Sequence, residues 1–373
     1  MRIGIDARFY GPDSKGLGRY TQKLIAHMEK IDQENDYIIF LRRDNYDTYV
    51  PQNSRFRKVL ADFQWYSFSE QIFFPFVLYK HRCDLVHFLH FNVPILYVKR
   101  LIVTIHDLIL LRYPTRKAST RNRLFYWIKF LCYRIVIASA VAKAWKIIAV
   151  SQFTKTDICA QYPRTCKKTT VIYEAAEVID QKLIDYKEFF ARYDIMKPYM
   201  LYVGNAYPHK NLYNLVDAFA LYVKNGGAVS RMVLVGRDDY FYTRLEEHIT
   251  SHEIENIIIL YTIDDAQLHA LYRQATMFVF PSLYEGFGLP PLEAQLLKVP
   301  VLSSDHPCMK EILSEQGAMF VDASDVPVFA QAMEDIVSDT VQRNRLIVDG
   351  YENARKYSWR KMAIQIHNIY TKK

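Results

Sequence analysis

The chain has 373 residues, of which 50% are hydrophobic and 14% aromatic, so it can bury two cores and is not a disordered polymer. The segment "MRIGIDARFYG" lacks the apolar core of a signal peptide, and no apolar run is long enough to span a membrane. The net charge of +8 is uneven: residues 1–190 carry 30 basic and 18 acidic side chains, whereas residues 191–373 carry 18 and 22. This asymmetry predicts that the first half meets an anionic partner.

The first half alternates short apolar strands with helical segments. "RIGID" predicts a buried strand, the loop "ARFYGPDSKGLG" follows, and an amphipathic helix begins near Arg19. Further buried strands are predicted at "YIIFL", "DLVHFL", "RLIVTI", "KIIAV" and "TTVIY". Strands that alternate with helices indicate an α/β fold, in which helices cover both faces of a parallel sheet.

The pattern restarts near residue 195. "PYMLYVGN" predicts a strand that ends in a glycine turn, and a helix follows from about Lys210. Later strands are predicted at "RMVLVG", "NIIILY", "MFVFPS", "PVLSS" and "AMFVD". We therefore predict Rossmann-like, doubly wound domains at 1–190 and 191–355, with the linker within 180–197. A C-terminal helix over 356–373 would pack back on the first domain, and ligands would bind in a cleft between the domains.

The number and spacing of the cysteines indicate the cellular compartment in which the protein works. The five cysteines, at positions 83, 132, 159, 166 and 308, are scattered and lack the spacing of zinc ligands. We therefore expect reduced thiols in a cytoplasmic protein.

The segment "PSLYEGFGLPPLEA" (281–294) contains Glu285 and Glu293 on either side of two glycines and two prolines. It follows a predicted strand, and its prolines suit the first turn of a helix, so we predict an anion site at the amides around Phe287, Gly288 and Leu289. The two carboxylates would then contact the two ends of one ligand rather than act as an acid and base pair. The alternative is a helix cap flanked by two solvated carboxylates.

Two segments of the first half follow predicted strands. "GPDSKGLGRY" contains Gly16 and Gly18 but no third glycine, so it is not a dinucleotide-binding fingerprint. "TIHDL" places His106 and Asp107 at a strand end, where the histidine could orient a hydroxyl or carry a proton. The alternatives are a flexible loop, a structural histidine and an aspartate that pairs with its basic surroundings.

Segment 281–294 is similar to the E-x7-E signature of the retaining glycosyltransferases of family 4. Other stretches agree with that family in order and spacing: "GIDAR…GLGRYTQKL", "TIHDL", "IIAVSQFTKTDI", "LYVGNAYPHKNL", "VLVG" and "PCMKEI". The resemblance covers nearly the whole chain and favours the bacterial mannosyltransferase-like branch, which builds surface and lipid-linked glycans. It implies the GT-B fold, in which two Rossmann-like domains face each other across a cleft.

The resemblance also implies residue roles. Glu285 would contact the donor sugar, and Glu293 would accept hydrogen bonds from the ribose of the nucleotide. Lys210 would stabilise the departing diphosphate, although a lysine at a helix start can also be simply solvated. Four residues would hold the diphosphate through their amides: Gly286, Phe287, Gly288 and Leu289.

Other positions match the family less closely. Asn205 and His209 stand where many members have an arginine, and Arg237 could compensate for the missing charge. Lys298 stands where many members have glycine.

The first domain would also contact the donor. The loop that contains Gly16 and Gly18 would let the backbone approach the donor phosphates and the acceptor. His106 would lie beside the donor sugar.

The implied reaction moves a hexose, with a preference for mannose from GDP-mannose, to a glycan or polyprenol-linked acceptor. The sequence has no Asp-x-Asp motif, so we expect neither a metal nor another cofactor. An NAD-dependent oxidoreductase is an alternative that the glycine spacing disfavours. A non-catalytic protein that binds nucleotide sugars or membranes is the other alternative.

The basic segment 116–146 mixes Lys and Arg with Phe, Tyr and Trp. This composition suits contact with an anionic membrane surface, here the inner face of the membrane. The alternative is an amphipathic helix that packs on the sheet with a solvated basic face. No nucleic-acid-binding fold accompanies the segment, so we expect no nucleic-acid partner.

Overall fold

The computed structural model describes residues 1–11, 14–114, 123–177 and 186–372, without the side chains of residues 15 and 123–126. The chain divides into two units, Met1–Glu174 with Ser358–Lys373, and Ala175–Tyr357. The boundary expected at residue 190 instead lies within the second unit. It falls inside a helix (Lys187–Arg192) whose Phe189 is buried, and a helix that contributes to a core is not a linker.

The first unit is a parallel sheet covered by helices. Its strands lie in the order β3-β2-β1-β4-β5-β6-β7, so the direction of winding reverses between β1 and β4. The elements are β1 (Arg2–Asp6), α1 (Lys15–Ile31), β2 (Asp36–Leu41), α2 (Arg43–Tyr46), β3 (Phe56–Leu60), α3 (Phe68–Lys80), β4 (Leu85–Phe88), β5 (Leu101–Ile105), α4 (Ile109–Arg112), α5 (Arg123–Lys143), β6 (Lys146–Ala149), α6 (Gln152–Gln161) and β7 (Thr169–Val171).

The second unit repeats this architecture with the strand order β10-β9-β8-β11-β12-β13, and its winding reverses between β8 and β11. Its elements are α7 (Lys187–Arg192), β8 (Met200–Val203), α8 (Leu212–Lys224), β9 (Met232–Val235), α9 (Tyr240–Ser251), β10 (Ile257–Leu260), α10 (Asp265–Gln274), β11 (Met277–Phe280), α11 (Leu289–Leu296), β12 (Val301–Ser304), α12 (Pro307–Leu313), β13 (Met319–Val321), α13 (Val326–Ser338) and α14 (Thr340–Ala354). Reversal points of this kind leave a crevice at the carboxyl ends of the strands, where such sheets bind ligands.

The predicted α/β class with two parallel sheets is confirmed, and each predicted strand segment contains an observed strand. Two local predictions are wrong. The helix expected near Arg19 begins at Lys15. The edge strand β3 is absent from the predicted elements, because its sequence "FRKVL" is polar where an edge strand faces water.

The last helix, α15 (Trp359–Thr371), belongs to the first unit and packs on α1. Its buried face includes Trp359 and Ile366. Two polar contacts also attach it: the Tyr370 hydroxyl lies 2.6 Å from Nδ1 of His87, and Nε2 of His367 lies 3.0 Å from Oδ2 of Asp32. Apolar burial and directed polar contacts therefore both hold the C-terminal helix.

The cysteine expectation is wrong at one pair. Cys159 and Cys166 form a disulfide, because the chain turns back after α6 and brings their Cα atoms within 5.2 Å. Cys83, Cys132 and Cys308 are free thiols. Among the described helices, none is both long and apolar enough to cross a membrane.

Candidate functional site

The loops after β8 and β11 meet at the reversal point of the second sheet. The main-chain oxygen of His209 accepts hydrogen bonds from the Leu283 amide, at 2.7 Å, and from the Ser282 hydroxyl, at 3.3 Å. These bonds fix the two loops relative to each other. Residues predicted from two separate motifs are therefore brought together at the carboxyl edge of the sheet.

Lys210 and Glu285 form an ion pair across these loops, between Nζ and Oε1. Lys210 ends a short 3-10 turn (Pro208–Lys210), and its Nζ lies 5.6 Å from the centroid of the Phe280 ring. Only 13% of the lysine side chain and 9% of the glutamate side chain are exposed. The pair is therefore largely desolvated, and each charge depends on the other.

The environment sets the charge state of this pair. Burial alone would raise the pKa of Glu285, but the charge and hydrogen bond of Lys210 outweigh it, so that pKa lies below its usual value. Burial and the charge of Lys210 lower the pKa of His209 to about 4. At neutral pH the site thus contains an ionised carboxylate and a neutral imidazole.

Two tyrosine hydroxyls hold the loop after β8. Tyr202 donates to the main-chain oxygen of Asn205 at 2.8 Å, and Tyr242 donates to that of Gly204 at 2.9 Å. The side-chain oxygen of Asn205 accepts from the Tyr207 amide at 3.3 Å. Sequence reasoning misses both tyrosines, since a tyrosine in a core-forming pattern carries no sign of where its hydroxyl points.

The N-terminus of α11 has the predicted construction. Pro290 and Pro291 lie in its first turn, which confirms that prediction. Gly288 precedes the helix with φ +92°, and a Cβ at this position would lie 2.6 Å from Cε of Met309. The positive φ strains any residue that has a Cβ, so glycine is favoured there, and the end of the Met309 side chain would also have to move. Gly286, Phe287 and Leu289 complete the segment that we expect to contact an anion.

Glu293 is buried within α11, whereas Glu285 lies in the loop before it. The Tyr272 hydroxyl lies 3.4 Å from Oε2 of Glu293 and 3.2 Å from the Pro290 oxygen. The two glutamates thus occupy different elements on either side of the helix start. That the two carboxylates contact the two ends of one ligand stays a prediction.

Arg237 is exposed after β9. Burial raises the pKa of Tyr207, and the charge of Arg237 opposes that rise, so the arginine lies near the loop that contains Asn205 and His209. In the described residues no group of three or more His, Cys, Asp or Glu side chains is arranged to hold a metal ion.

In the first unit, His106 follows β5 and pairs with Glu174, a residue that no sequence motif singles out. Nδ1 lies 2.7 Å from Oε1 of Glu174, and Nε2 lies 3.0 Å from the main-chain oxygen of Leu89. The Tyr20 ring stands edge-on at 4.9 Å. Glu174 follows β7, two strands after the one that precedes His106. This separation is a weak sequence signal, because the two residues meet only if β5, β6 and β7 are neighbours in the sheet.

Gly16 and Gly18 lie inside α1 rather than in the predicted loop. A Cβ on Gly18 would lie 1.9 Å from the Gly11 oxygen, so this glycine allows the loop after β1 to lie against the helix. Gly16 is exposed in the first helical turn, where amides lack intrahelical partners.

Comparison with known families agrees with this geometry. Residues 14–177 match the family model described as Glycosyltransferase Family 4, and residues 185–355 match the one described as Glycosyl transferases group 1. The chain belongs to glycosyltransferase family 4. The protein is therefore a glycosyltransferase, and its two sheets are those of the GT-B fold.

This family 4 glycosyltransferase is similar to two curated mannosyltransferases. It is 26% identical over 291 residues to the O-antigen chain mannosyltransferase RfbU of Salmonella typhimurium, covering 77% of this chain and 75% of that one. It is 27% identical over 280 residues to O-antigen chain mannosyltransferase B of Escherichia coli, covering 73% and 70%.

Solved structures share the fold. The sucrose-phosphate synthase of Thermosynechococcus elongatus aligns with a TM-score of 0.78 at 18% identity, over 99% of this chain and 98% of that one. Anabaena HepE in complex with UDP and glucose aligns with a TM-score of 0.72 at 16% identity, over 100% and 99%. At these identities the likeness shows the fold alone.

Proposed function

We propose that this glycosyltransferase transfers mannose from GDP-mannose to a glycan or polyprenol-linked acceptor, with retention of configuration and without a metal ion. The observation that carries the proposal is the Lys210–Glu285 ion pair beside the glycine-led start of α11. It combines a cation, a helix N-terminus and an ionised carboxylate at one reversal point, which suits a diphosphate attached to a sugar. The names of two O-antigen mannosyltransferase relatives support mannose as the sugar.

In the proposed reaction the acceptor oxygen bonds to the anomeric carbon as the bond from that carbon to the diphosphate breaks. Attack occurs on the face that the diphosphate leaves, and a departing phosphate oxygen takes the acceptor proton. Lys210 and the amides of residues 286–289 stabilise the charge that develops on the leaving group, the role for which a metal would otherwise serve. Glu285 accepts hydrogen bonds from sugar hydroxyls, and Glu293 accepts them from the ribose.

The first test is a thermal-shift panel of GDP-, UDP- and ADP-sugars, because a ligand that binds only the folded state raises its melting temperature. GDP-mannose should give the largest shift, and release of GDP should then require an acceptor. Release should continue at an unchanged rate in EDTA. A larger shift with another nucleotide sugar would overturn the donor assignment, and loss of activity in EDTA would overturn metal independence.

Variants separate catalysis from binding. Glu285→Gln should keep GDP binding and lose most transfer, whereas Lys210→Ala should weaken binding of both GDP-mannose and GDP. Glu247→Gln and Lys224→Ala, at exposed positions of the same unit, serve as charge-matched controls that should leave both unchanged. Transfer by Glu285→Gln at the wild-type rate would contradict the proposed role. Donor binding with neither hydrolysis nor transfer would favour the non-catalytic alternative.

The same proposal includes contact of the first unit with an anionic membrane surface. Segment 116–122 lies outside the described residues, but α5 exposes Trp127 and Leu131. Helix α3 likewise exposes Phe68, to 83%, and Phe76, to 65%. Such large apolar side chains on neighbouring elements are typical of a surface that contacts a partner or a membrane.

Helices α3 and α5 pack on the same side of the sheet, since Phe74 and Ile137 belong to one core cluster. The loop between β4 and β5 joins them: Tyr79 of α3 donates to the Leu96 oxygen at 3.0 Å, and Lys143 of α5 donates to the Ile95 oxygen at 2.7 Å. Across Phe68–Lys80, 94–100 and Arg123–Lys143 the sequence has one acid, the buried Glu70. The same three segments contain the exposed cations Lys80, Lys99, Lys129 and Arg134.

Flotation with phosphatidylcholine vesicles, with and without phosphatidylglycerol, tests this contact. The protein should float only with the anionic vesicles, and Phe68→Ser with Phe76→Ser should reduce the floating fraction severalfold. The matched control is Val341→Ser with Val348→Ser, two exposed apolar positions of α14 in the second unit. Equal flotation with neutral vesicles, or self-association in place of flotation, would overturn the proposed surface.

A further inference from the structure

Both ring nitrogens of His106 face hydrogen-bond acceptors. Nδ1 is 2.7 Å from a carboxylate oxygen of Glu174, and Nε2 is 3.0 Å from the main-chain oxygen of Leu89. A carbonyl oxygen cannot donate, and an ionised carboxylate cannot donate either. When the Glu174 carboxylate is ionised, two simultaneous bonds of this geometry require a proton on each nitrogen, which is the imidazolium form.

The surroundings of His106 favour that charge. Burial lowers the pKa of His106, but the hydrogen bond and charge of Glu174 outweigh it, with a smaller contribution from Asp107, so the pKa is raised. Two neighbouring histidines stay neutral: burial and the charge of His106 lower the pKa of His87 and of His90 to about 3. Within this cluster His106 is therefore the histidine that most readily carries a positive charge.

The position of His106 is also fixed. Its main-chain oxygen accepts from the Thr154 hydroxyl of α6 at 3.3 Å, and the Tyr20 ring of α1 stands edge-on to the imidazole at 4.9 Å. Only 4% of the Glu174 side chain is exposed, whereas 18% of the His106 side chain is. The carboxylate is therefore the buried support, and the imidazole is the group that solvent and ligands can reach.

We propose that Glu174 is a positioning residue that holds His106 as an imidazolium, so that His106 serves the transfer reaction as a hydrogen-bond donor and cation rather than as a base. Nε2–H is held by a main-chain oxygen, that of Leu89, and a substrate hydroxyl or phosphate oxygen takes the place of that oxygen. This inference rests on the proposed function. It predicts that activity depends on a proton on His106 and that Glu174 sets the pH at which that proton is lost.

The charge state can be measured without substrate. NMR titration of 15N-labelled imidazoles, with His106→Gln to assign the resonance among 11 histidines, should give a His106 pKa above that of a free imidazole, about 6.5. In Glu174→Gln this pKa should fall by at least about one unit, a tenfold loss of proton affinity. An unchanged titration in Glu174→Gln would overturn the inference, as would a neutral His106 at pH 6.

The pH profile of kcat/KM tests whether the positive charge on His106 contributes to the transfer reaction. The alkaline limb should move to lower pH in Glu174→Gln, with a roughly tenfold loss near pH 7.5 and wild-type activity near pH 5, where both forms keep the proton. Glu174→Asp should restore part of the alkaline activity. A loss that is equal at every pH would indicate a structural role only.

The second unit provides a matched control. Nε2 of His248 lies 2.7 Å from Oδ1 of Asp217, a histidine–carboxylate pair of the same length. Asp217→Asn should leave the His106 titration and the alkaline limb unchanged. If the protein transferred no sugar and the NMR shift were still observed, the proposed function would fail while the pairing stood. Transfer without the NMR shift would refute the pairing and leave the proposed function intact.

Discussion

Lys210 and Glu285 are 75 positions apart in the chain and form an ion pair in which each side chain is about nine-tenths buried. Removal of one partner leaves a buried charge without compensation, which typically costs about 3–5 kcal/mol. We expect Lys210→Met to destabilise the second unit by an amount of that order. The double variant Lys210→Met with Glu285→Gln should recover a substantial part of the loss. Urea unfolding of the wild type, Lys210→Met, Glu285→Gln and the double variant measures the coupling, and strictly additive costs would contradict an energetically coupled pair.

Gly288 is expected to tolerate no side chain. Gly288→Ala would force a Cβ into both a left-handed backbone conformation and Met309, so it should destabilise the second unit by about 2 kcal/mol or more and weaken nucleotide binding. Gly226→Ala is the control, because Gly226 has φ +91° with open space around it. Equal melting temperatures for the two variants would show that contact with Met309 is unimportant.

Asp32 should govern the acid stability of the first unit. Burial raises its pKa, but hydrogen bonds from Tyr37 and Asn35 outweigh this and lower it to about 2. A lowered folded-state pKa contributes stability above the unfolded value, about 3.9, and that stability is lost as the pH falls through about 2. Asp32→Asn should therefore cost about 2 kcal/mol at pH 6 and much less at pH 2.

Denaturant midpoints across this pH range measure the Asp32 effect. Asp36→Asn is the control, because that exposed residue pairs with Arg55 at the surface and should contribute little at any pH. A difference between wild type and Asp32→Asn that does not vary with pH would rule out the proposed linkage.

Tyr242 is expected to act on binding through the loop that it holds. Tyr242→Phe leaves the Gly204 oxygen without its 2.9 Å bond, which should cost about 1 kcal/mol and weaken GDP binding severalfold. Tyr199→Phe removes an equivalent bond, to the Leu271 oxygen at 2.7 Å, at the opposite end of β8. Calorimetric titration should show weaker GDP binding for Tyr242→Phe but not for Tyr199→Phe. An equal loss of GDP affinity in both variants would refute an effect that acts through the loop after β8.

The sequence carries most of the information on fold class and on the segment around α11. Strands that are covered by helices on both faces of a sheet consist almost entirely of apolar residues, so their sequences are easy to recognise. Pro290, Pro291 and Gly288 have backbone requirements that follow from residue type alone. The position and the backbone conformation of the start of α11 can therefore be predicted from the sequence.

Partners cannot be predicted where they depend on strand order or side-chain direction. Glu174 meets His106 because β5, β6 and β7 are neighbours in the sheet, and nothing local to either residue indicates this. Strand β3 cannot be predicted from an apolar pattern, because an edge strand is partly exposed and can contain polar residues. The glycines around Gly18 predict a loop, but Gly18 lies in α1. Its lack of a side chain lets the Gly11 oxygen pack against that helix.

The final helix has a consequence for how the protein is made. A ribosome synthesises a chain from its N-terminus, yet α15 packs on α1, and the whole second unit lies between these two helices in the chain. The apolar face that awaits Trp359 and Ile366 stays open while the whole second unit is translated. The first unit therefore reaches its final packing only after the second unit has been synthesised, and a nascent chain stalled before residue 358 would expose this apolar surface to chaperones.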